Sequence, residues 1–329
     1  MACDQCEHYS NLGFNFCPDC GSPITSRKKS NDILTAITVI GCIVTVVLSF
    51  VLVFELFVGW IESGYVLDNL KGFHYPLFLI IPTIWDFADL SGIPLSIYYI
   101  LLLIAVTVCV AFLFFRSYGR RKEGKEISDT PIYEMAVMFG ALYAFEVVFV
   151  IILNMMGIET DTPSERPTWE WLFELLNASV WEELITRVLY LGIPVAVISL
   201  LMKKEGASIK WIGGGFGLGP IPLLFILFSA FMFGAGHLNG WGAWKFVTTF
   251  VFGLIAGYLF CKYGLYVTIC FHFLTDYLQA EKWLTGDIMP LTTMAIIIVF
   301  FLSIPFIWVY LKRGFLYVRD QLSSDLRRS

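Results

Sequence analysis

The sequence predicts an all-α polytopic membrane protein with about eight transmembrane helices, and three observations carry that prediction. Of the 329 residues, 57% are hydrophobic and only 15% are charged, whereas soluble domains run at about 45–50% apolar and about 25% charged. Mean hydropathy is +0.74. Charge-free apolar runs recur that are long enough to cross about 30 Å of hydrocarbon, which takes about 20 helical residues. Together these exclude a soluble enzyme built round one core. They also exclude disorder, because so apolar a chain cannot stay solvated. The aromatic share of 17% suits a chain with many interfacial anchors.

The spans follow in order. Residues 33–54, 91–115 and 288–311 contain no Asp, Glu, Lys or Arg. Residues 132–153 read as a span despite Glu134 and Glu146, and 180–202 despite Glu182, Glu183 and Arg187. The charge-free run 211–244 is too long for one helix. Its glycine-rich opening at 212–219, with Pro220, reads as a loop and leaves a span at 221–237. Spans at 244–261 and 266–283 complete the set. The first apolar run begins only at Ile33, so no cleavable signal peptide is expected.

Basic residues in short loops set orientation. Alternating sides from a cytoplasmic start places most of the 22 basic residues inside: Arg27, Lys28 and Lys29, the run from Arg116 to Lys125, then Lys203, Lys204, Lys210 and Lys262, and finally the tail from Lys312 to Arg328. The opposite loops are acidic, with Glu62, Asp68, Asp86 and Asp89, then Glu159, Asp161 and Glu165. Both termini are therefore expected in the cytoplasm.

Residues 1–26 are a different polymer. Cys3, Cys6, Cys17 and Cys20 form two CxxC knuckles, the second followed by Gly21. Four thiolates at this spacing suit tetrahedral Zn²⁺. A reducing cytoplasm argues against two disulfides, and a segment this short would fold only on metal binding. The expected cofactor is thus structural zinc in a small cytoplasmic ribbon. Asp4, Glu7 and Asp19 make the ribbon a poor nucleic-acid ligand, so a protein partner is the better expectation. Cys42, Cys109, Cys261 and Cys270 share no spacing and read as packing residues. The organisation expected is a ribbon (1–26), a basic linker with two spans (27–131), a core (132–311) and a basic tail (312–329).

The informative residues are those a bilayer penalises. A charge at a helix centre costs about 2.5–3.5 kcal/mol on insertion scales, so each needs a partner or a task. Glu183 and Arg187 are spaced i,i+4 with the acid first, the favourable order for a helical ion pair. That pairing leaves Glu182, about 100° round the helix, available as a general base. Phe233 and His237 lie one turn apart on a second span, as do His272 and Asp276 on a third. Two imidazoles beside a double glutamate supply a base, a polar partner and donors for an oxyanion, which is the equipment of amide hydrolysis. No serine or cysteine presents itself as nucleophile; Ser179 reads as a helix-start residue. Attack by activated water is the economical mechanism. His237, His272 and Glu182 could in principle ligate a metal, but no HExxH accompanies them, and a catalytic metal is not expected.

The set EExxxR, FxxxH and HxxxD, in that order on separate spans, resembles the CAAX-protease and bacteriocin-processing (Abi) family of intramembrane endopeptidases over roughly 132–310. The resemblance implies that Glu182 activates water together with His237. It implies further that Glu183 and Arg187 brace the site, and that His272 and Asp276 form the oxyanion site. Prenyl endopeptidases typically carry Asn where this chain has Asp276, and a carboxylate donates only when protonated, so Asp276 could instead orient His272. The resemblance implies a peptide or membrane-protein substrate, lipid-modified or not, in the plasma membrane of a bacterium. Two alternatives stand beside it: a non-proteolytic scaffold or bacteriocin-immunity protein, and a transporter using Glu146, Glu182 and Arg187. Glu146 has no place in the motifs and is expected to hydrogen-bond a neighbouring helix. The spans as drawn put Glu182, Glu183 and His237 toward the outer ends of their helices, but His272 and Asp276 near mid-span.

Overall fold

The computed structural model describes residues 5–11, 16–21, 32–81, 83–160, 166–204, 206–284 and 290–326. Helix α1 (Cys6–Asn11) belongs to the amino-terminal ribbon. Then follow α2 (Asp32–Ile61), α3 (Ser63–Leu70), strands β1 (His74–Ile81) and β2 (Thr83–Ser91), α4 (Gly92–Lys122), α5 (Pro131–Met155) and α6 (Thr168–Glu183). A π-helical stretch, Leu184–Gly192, joins α6 to α7 (Ile193–Leu201) without a break. The chain closes with α8 (Pro220–Gly236), α9 (Leu238–Trp241), α10 (Ala243–Tyr263), α11 (Leu265–Leu284) and α12 (Pro290–Leu326).

Among the described residues, six helical runs are long and apolar enough to cross a bilayer: Thr35–Ile61, Gly92–Lys122, Pro131–Met155, Thr168–Leu201, Ala243–Tyr263 and Ala295–Tyr317. Two shorter apolar helices, Pro220–Gly236 and Leu265–Leu278, stand with them. The protein is a multi-pass, all-α membrane protein. Local chemistry marks the ends. Thr130 caps α5, its hydroxyl accepting from the Tyr133 amide, with Pro131 at the first helical position. Gly264, at φ +104°, ends α10, and the glycine-rich loop before α8 folds back on that exposed end, Gly215 N–H donating to Phe260 O and Gly217 N–H to Cys261 O.

Helix pairs α5/α12, α6/α11 and α8/α10 form the main contacts. Membrane helices associate through close backbone approach at small residues. At Gly253 of α10 a Cβ would lie 2.7 Å from the Cα of Ala230 on α8, so a larger residue would separate the pair. Cys261 and Cys270 are buried as packing residues.

The fourth span departs from the expectation. It begins at Thr168, not residue 180, because Glu170, Glu174 and Asn177 depress the hydropathy of its first turns while the helix runs straight through them. Ser179 consequently lies inside α6, its hydroxyl donating back to Leu175 O at 2.7 Å, and is not a helix start.

The second departure lies in the segment between the first two spans. It is a two-stranded antiparallel sheet, with Tyr75 opposite Leu90 and Ile80 opposite Ile84, and a register shift at Leu77/Phe78. β1 runs alongside α6 and the π-helical stretch. Phe73 meets Trp169 edge-on at 5.0 Å and Tyr75 meets Phe173 at 4.8 Å. Farther along, Trp181 Nε1 donates to Phe78 O at 2.9 Å and Tyr190 OH donates to Ile80 O at 2.5 Å. Asn177, which made the start of this span look like a loop, sits between two tyrosines. It donates to Tyr75 OH and accepts from Tyr98 OH.

Candidate active site

Three helices meet at the intramembrane charges. Glu182 and Glu183 come from the end of α6, His237 from the residue closing α8, and His272 and Asp276 from one face of α11. With the fourth span starting at Thr168, both glutamates stand near the middle of the run Thr168–Leu201, whereas His237 closes its helix as expected.

The brace is dry. Arg187 Nε donates to Glu183 Oε2 at 3.2 Å, and both side chains are completely buried. Arg187 Nη1 donates to Ser229 Oγ at 2.6 Å, and that hydroxyl donates to Thr186 O at 2.6 Å. The guanidinium also lies over the Phe233 ring, 5.6 Å from its centroid. The other carboxylate oxygen of Glu183 faces His272 Nδ1 at 3.0 Å. Glu183 thus ties α6 to α11, while Arg187 ties the π-helical stretch to α8. A buried carboxylate and guanidinium need such pairing, because removing one partner strands the other; Arg187 Nη2 makes no hydrogen bond among the described residues.

The reactive side is more open. Glu182, His237 and Asp276 keep 13, 18 and 17% side-chain exposure, against 4% for His272. Glu182 Oε2 lies 3.9 Å from His237 Nε2 and 4.0 Å from His272 Nε2. It makes no hydrogen bond among the described residues. His237 Nδ1 faces Phe233 O at 2.8 Å. A carbonyl only accepts, so Nδ1 carries the proton and Nε2 turns a lone pair toward Glu182. His272 Nε2 lies 3.3 Å from Asp276 Oδ2, where one shared proton satisfies both. Phe233 and Phe252 pack edge-on to the His272 ring at 5.7 and 4.8 Å and hold it in place.

Ser229 is missing from the sequence reading, although a single hydroxyl in the apolar run 221–233 was the available signal. Glu146 makes no hydrogen bond to a neighbouring helix among the described residues. It borders a small cavity with Tyr143 and Thr275. In the ribbon, the sulfurs of Cys6, Cys17 and Cys20 lie within 4.8 Å of one another. Cys3 lies outside the described residues. Three sulfurs so gathered fit one tetrahedral ion, since Zn–S bonds of about 2.3 Å set sulfurs about 3.8 Å apart.

The site assembles carboxylates and imidazoles between membrane helices, with Glu182 Oε2 making no hydrogen bond among the described residues. Residues 164–278 match the family model described as type II CAAX prenyl endopeptidase Rce1-like, and that segment holds Glu182, Glu183, Arg187, His237, His272 and Asp276. The match covers about a third of the chain, and the family it points to is one of CAAX-type membrane proteases. The ribbon, α2, the β-hairpin, α4 and α5 lie outside the matched segment. No curated protein and no solved structure matches the chain.

Proposed function

We propose that this chain is an intramembrane endopeptidase in which Glu182 and His237 activate a water molecule against a peptide carbonyl. The supporting observation is the pair of facing acceptors: an unpaired Glu182 oxygen and the lone pair of His237 Nε2, 3.9 Å apart. That distance is too long for a direct hydrogen bond and suits an oxygen donating one proton to each group. A water so held points its own lone pair outward as nucleophile.

The steps balance without further reagents. The water oxygen bonds to the carbonyl carbon as one of its protons passes to Glu182. The carbonyl oxygen becomes an oxyanion, and His272, held through Nδ1 by Glu183, turns its Nε2–H from Asp276 to donate to it. The C–N bond then breaks, and Glu182 returns its proton to the leaving amine. Glu183 and Arg187 touch none of the reacting atoms; they hold His272 and α6 in register.

Cys3, Cys6, Cys17 and Cys20 would hold a structural Zn²⁺ that folds the ribbon, leaving the ribbon as a docking module for a protein partner. The substrate is a peptide or membrane protein, lipid-modified or not. The location proposed is a bacterial plasma membrane with both termini cytoplasmic.

The test compares purified wild type with Glu182→Gln on a panel of lipid-modified and unmodified peptides, with products read by mass spectrometry. Glu182→Gln is expected to keep the wild-type melting temperature and to lose cleavage by about 10³-fold or more, in the range set by general bases. Full cleavage by the variant would remove Glu182 as the base. Cleavage by neither protein would favour the scaffold reading.

A further inference from the structure

The β-hairpin leaves one edge in use and one edge open beside the site. It runs along a candidate membrane span, its β1 strand touching that span from Phe173 to Tyr190, about 25 Å of helix. At such depth an exposed strand edge is not tolerated against lipid, because its amides and carbonyls would have no partners there. On β1 the requirement is met from outside the sheet: Trp181 and Tyr190 donate to the carbonyls of Phe78 and Ile80. On β2 nothing comparable occurs. Among the described residues no third strand joins the sheet, and every residue from Thr83 to Asp89 is exposed.

The open strand stands next to the chemistry. Trp181, which precedes Glu182, bonds β1 and also stacks on Phe87 of β2, ring centroids 6.4 Å apart. Ile80 fits against Gly236, where a Cβ would come within 3.0 Å of the isoleucine side chain, and Gly236 precedes His237. The hairpin therefore touches the neighbours of both groups assigned to water activation. β2 carries two exposed carboxylates, Asp86 between exposed Trp85 and Phe87, and Asp89 two residues beyond Phe87.

We propose that the open edge of β2 receives the substrate as an added strand, an extended peptide with basic side chains that Asp86 and Asp89 select. The inference rests on the protease reading for the identity of its occupant. Strand addition suits a protease, because an extended peptide presents its scissile carbonyl free of internal hydrogen bonds. Main-chain bonds supply affinity while alternate side chains supply specificity. Opposite charges at the rim guide the encounter and set the register.

The test uses full-length Glu182→Gln in nanodiscs and a fluorescent, lysine-rich, S-farnesylated synthetic peptide, with binding followed by anisotropy. Asp86→Asn together with Asp89→Asn is expected to weaken binding about tenfold, and a glutamate-rich version of the peptide to bind about tenfold worse than the lysine-rich one. Backbone N-methylation of the peptide at alternate residues provides a readout that needs no protein variant. One alternating set should weaken binding about tenfold and the other less than about twofold, since only every second amide of an added strand faces the sheet. Equal effects of the two sets, or no binding of the peptide, overturn the proposal. Wild-type protein is run with the same peptide to separate the two readings. The alternating pattern without cleavage keeps the docking edge and removes the protease reading; cleavage without the pattern does the reverse.

Discussion

Two clusters of charge lie among these helices, and they are built on opposite terms. In the first, Glu134 of α5 accepts from Tyr258 OH at 2.6 Å, from Lys262 Nζ at 2.5 Å and from Tyr263 OH. One carboxylate meets one ammonium and two hydroxyls, and both of its oxygens are used. In the second, Glu182, Glu183 and Asp276 outnumber Arg187, the imidazoles share their nitrogens among the acids, and Glu182 Oε2 stays unpaired. Burying a polar atom without a partner carries a penalty of about 1–3 kcal/mol, and more for a charge. A fold tolerates that at a place where a ligand or reactant completes the set. The closed cluster pins α5 to α10; the incomplete one is poised for chemistry.

Substitutions can break or sharpen this contrast. The largest expected effect outside the reacting groups is at Arg187. Arg187→Met strands Glu183 in a dry interior and is expected to lower stability by about 3–5 kcal/mol, read as a large drop in melting temperature in detergent. Glu183→Gln combined with Arg187→Met should recover much of the loss, which a purely catalytic role for the pair would not produce.

Next in size is the closed cluster. Glu134→Gln should reduce stability by about 2 kcal/mol, the scale of a hydrogen bond to a charged group, while cleavage per folded molecule stays unchanged. A folded Glu134→Gln protein that no longer cleaves would erase the distinction between the clusters. The smallest effect belongs to the hairpin clamp. Tyr190→Phe removes one hydroxyl bond to Ile80 O, a loss of about 1 kcal/mol. Hydrogen–deuterium exchange should then quicken in the hairpin near Ile80 and Ile84 and nowhere in α5 or α10.

The cysteine-bearing amino-terminal segment touches the closed cluster as well. Phe16 lies over the Lys262 ammonium, 3.9 Å from ring centroid to nitrogen, so the same lysine that pairs with Glu134 also meets the thiol-bearing segment.

The apolar helices, the order of the motifs and the i,i+4 pairing of Glu183 with Arg187 were legible in the sequence. Each depends on local spacing or on composition summed over one helix, and neither needs knowledge of distant residues. Tertiary structure decided the rest. Residues 168–179 carry Glu170, Glu174 and Asn177 and could not be told from a loop, because the tyrosines that satisfy Asn177 come from β1 and α4, at 75 and 98. The apolar stretch through Ile80 and Trp85 is too short to span a membrane, and strand pairing is set by contacts remote in sequence. Its edge is completed by Trp181 and Tyr190, about a hundred residues onward. That Glu182 would keep an unpaired oxygen facing His237 followed from neither motif alone. It follows from where α6, α8 and α11 meet, because a carboxylate's partners are fixed by the helices packed around it and not by the residues beside it in the chain.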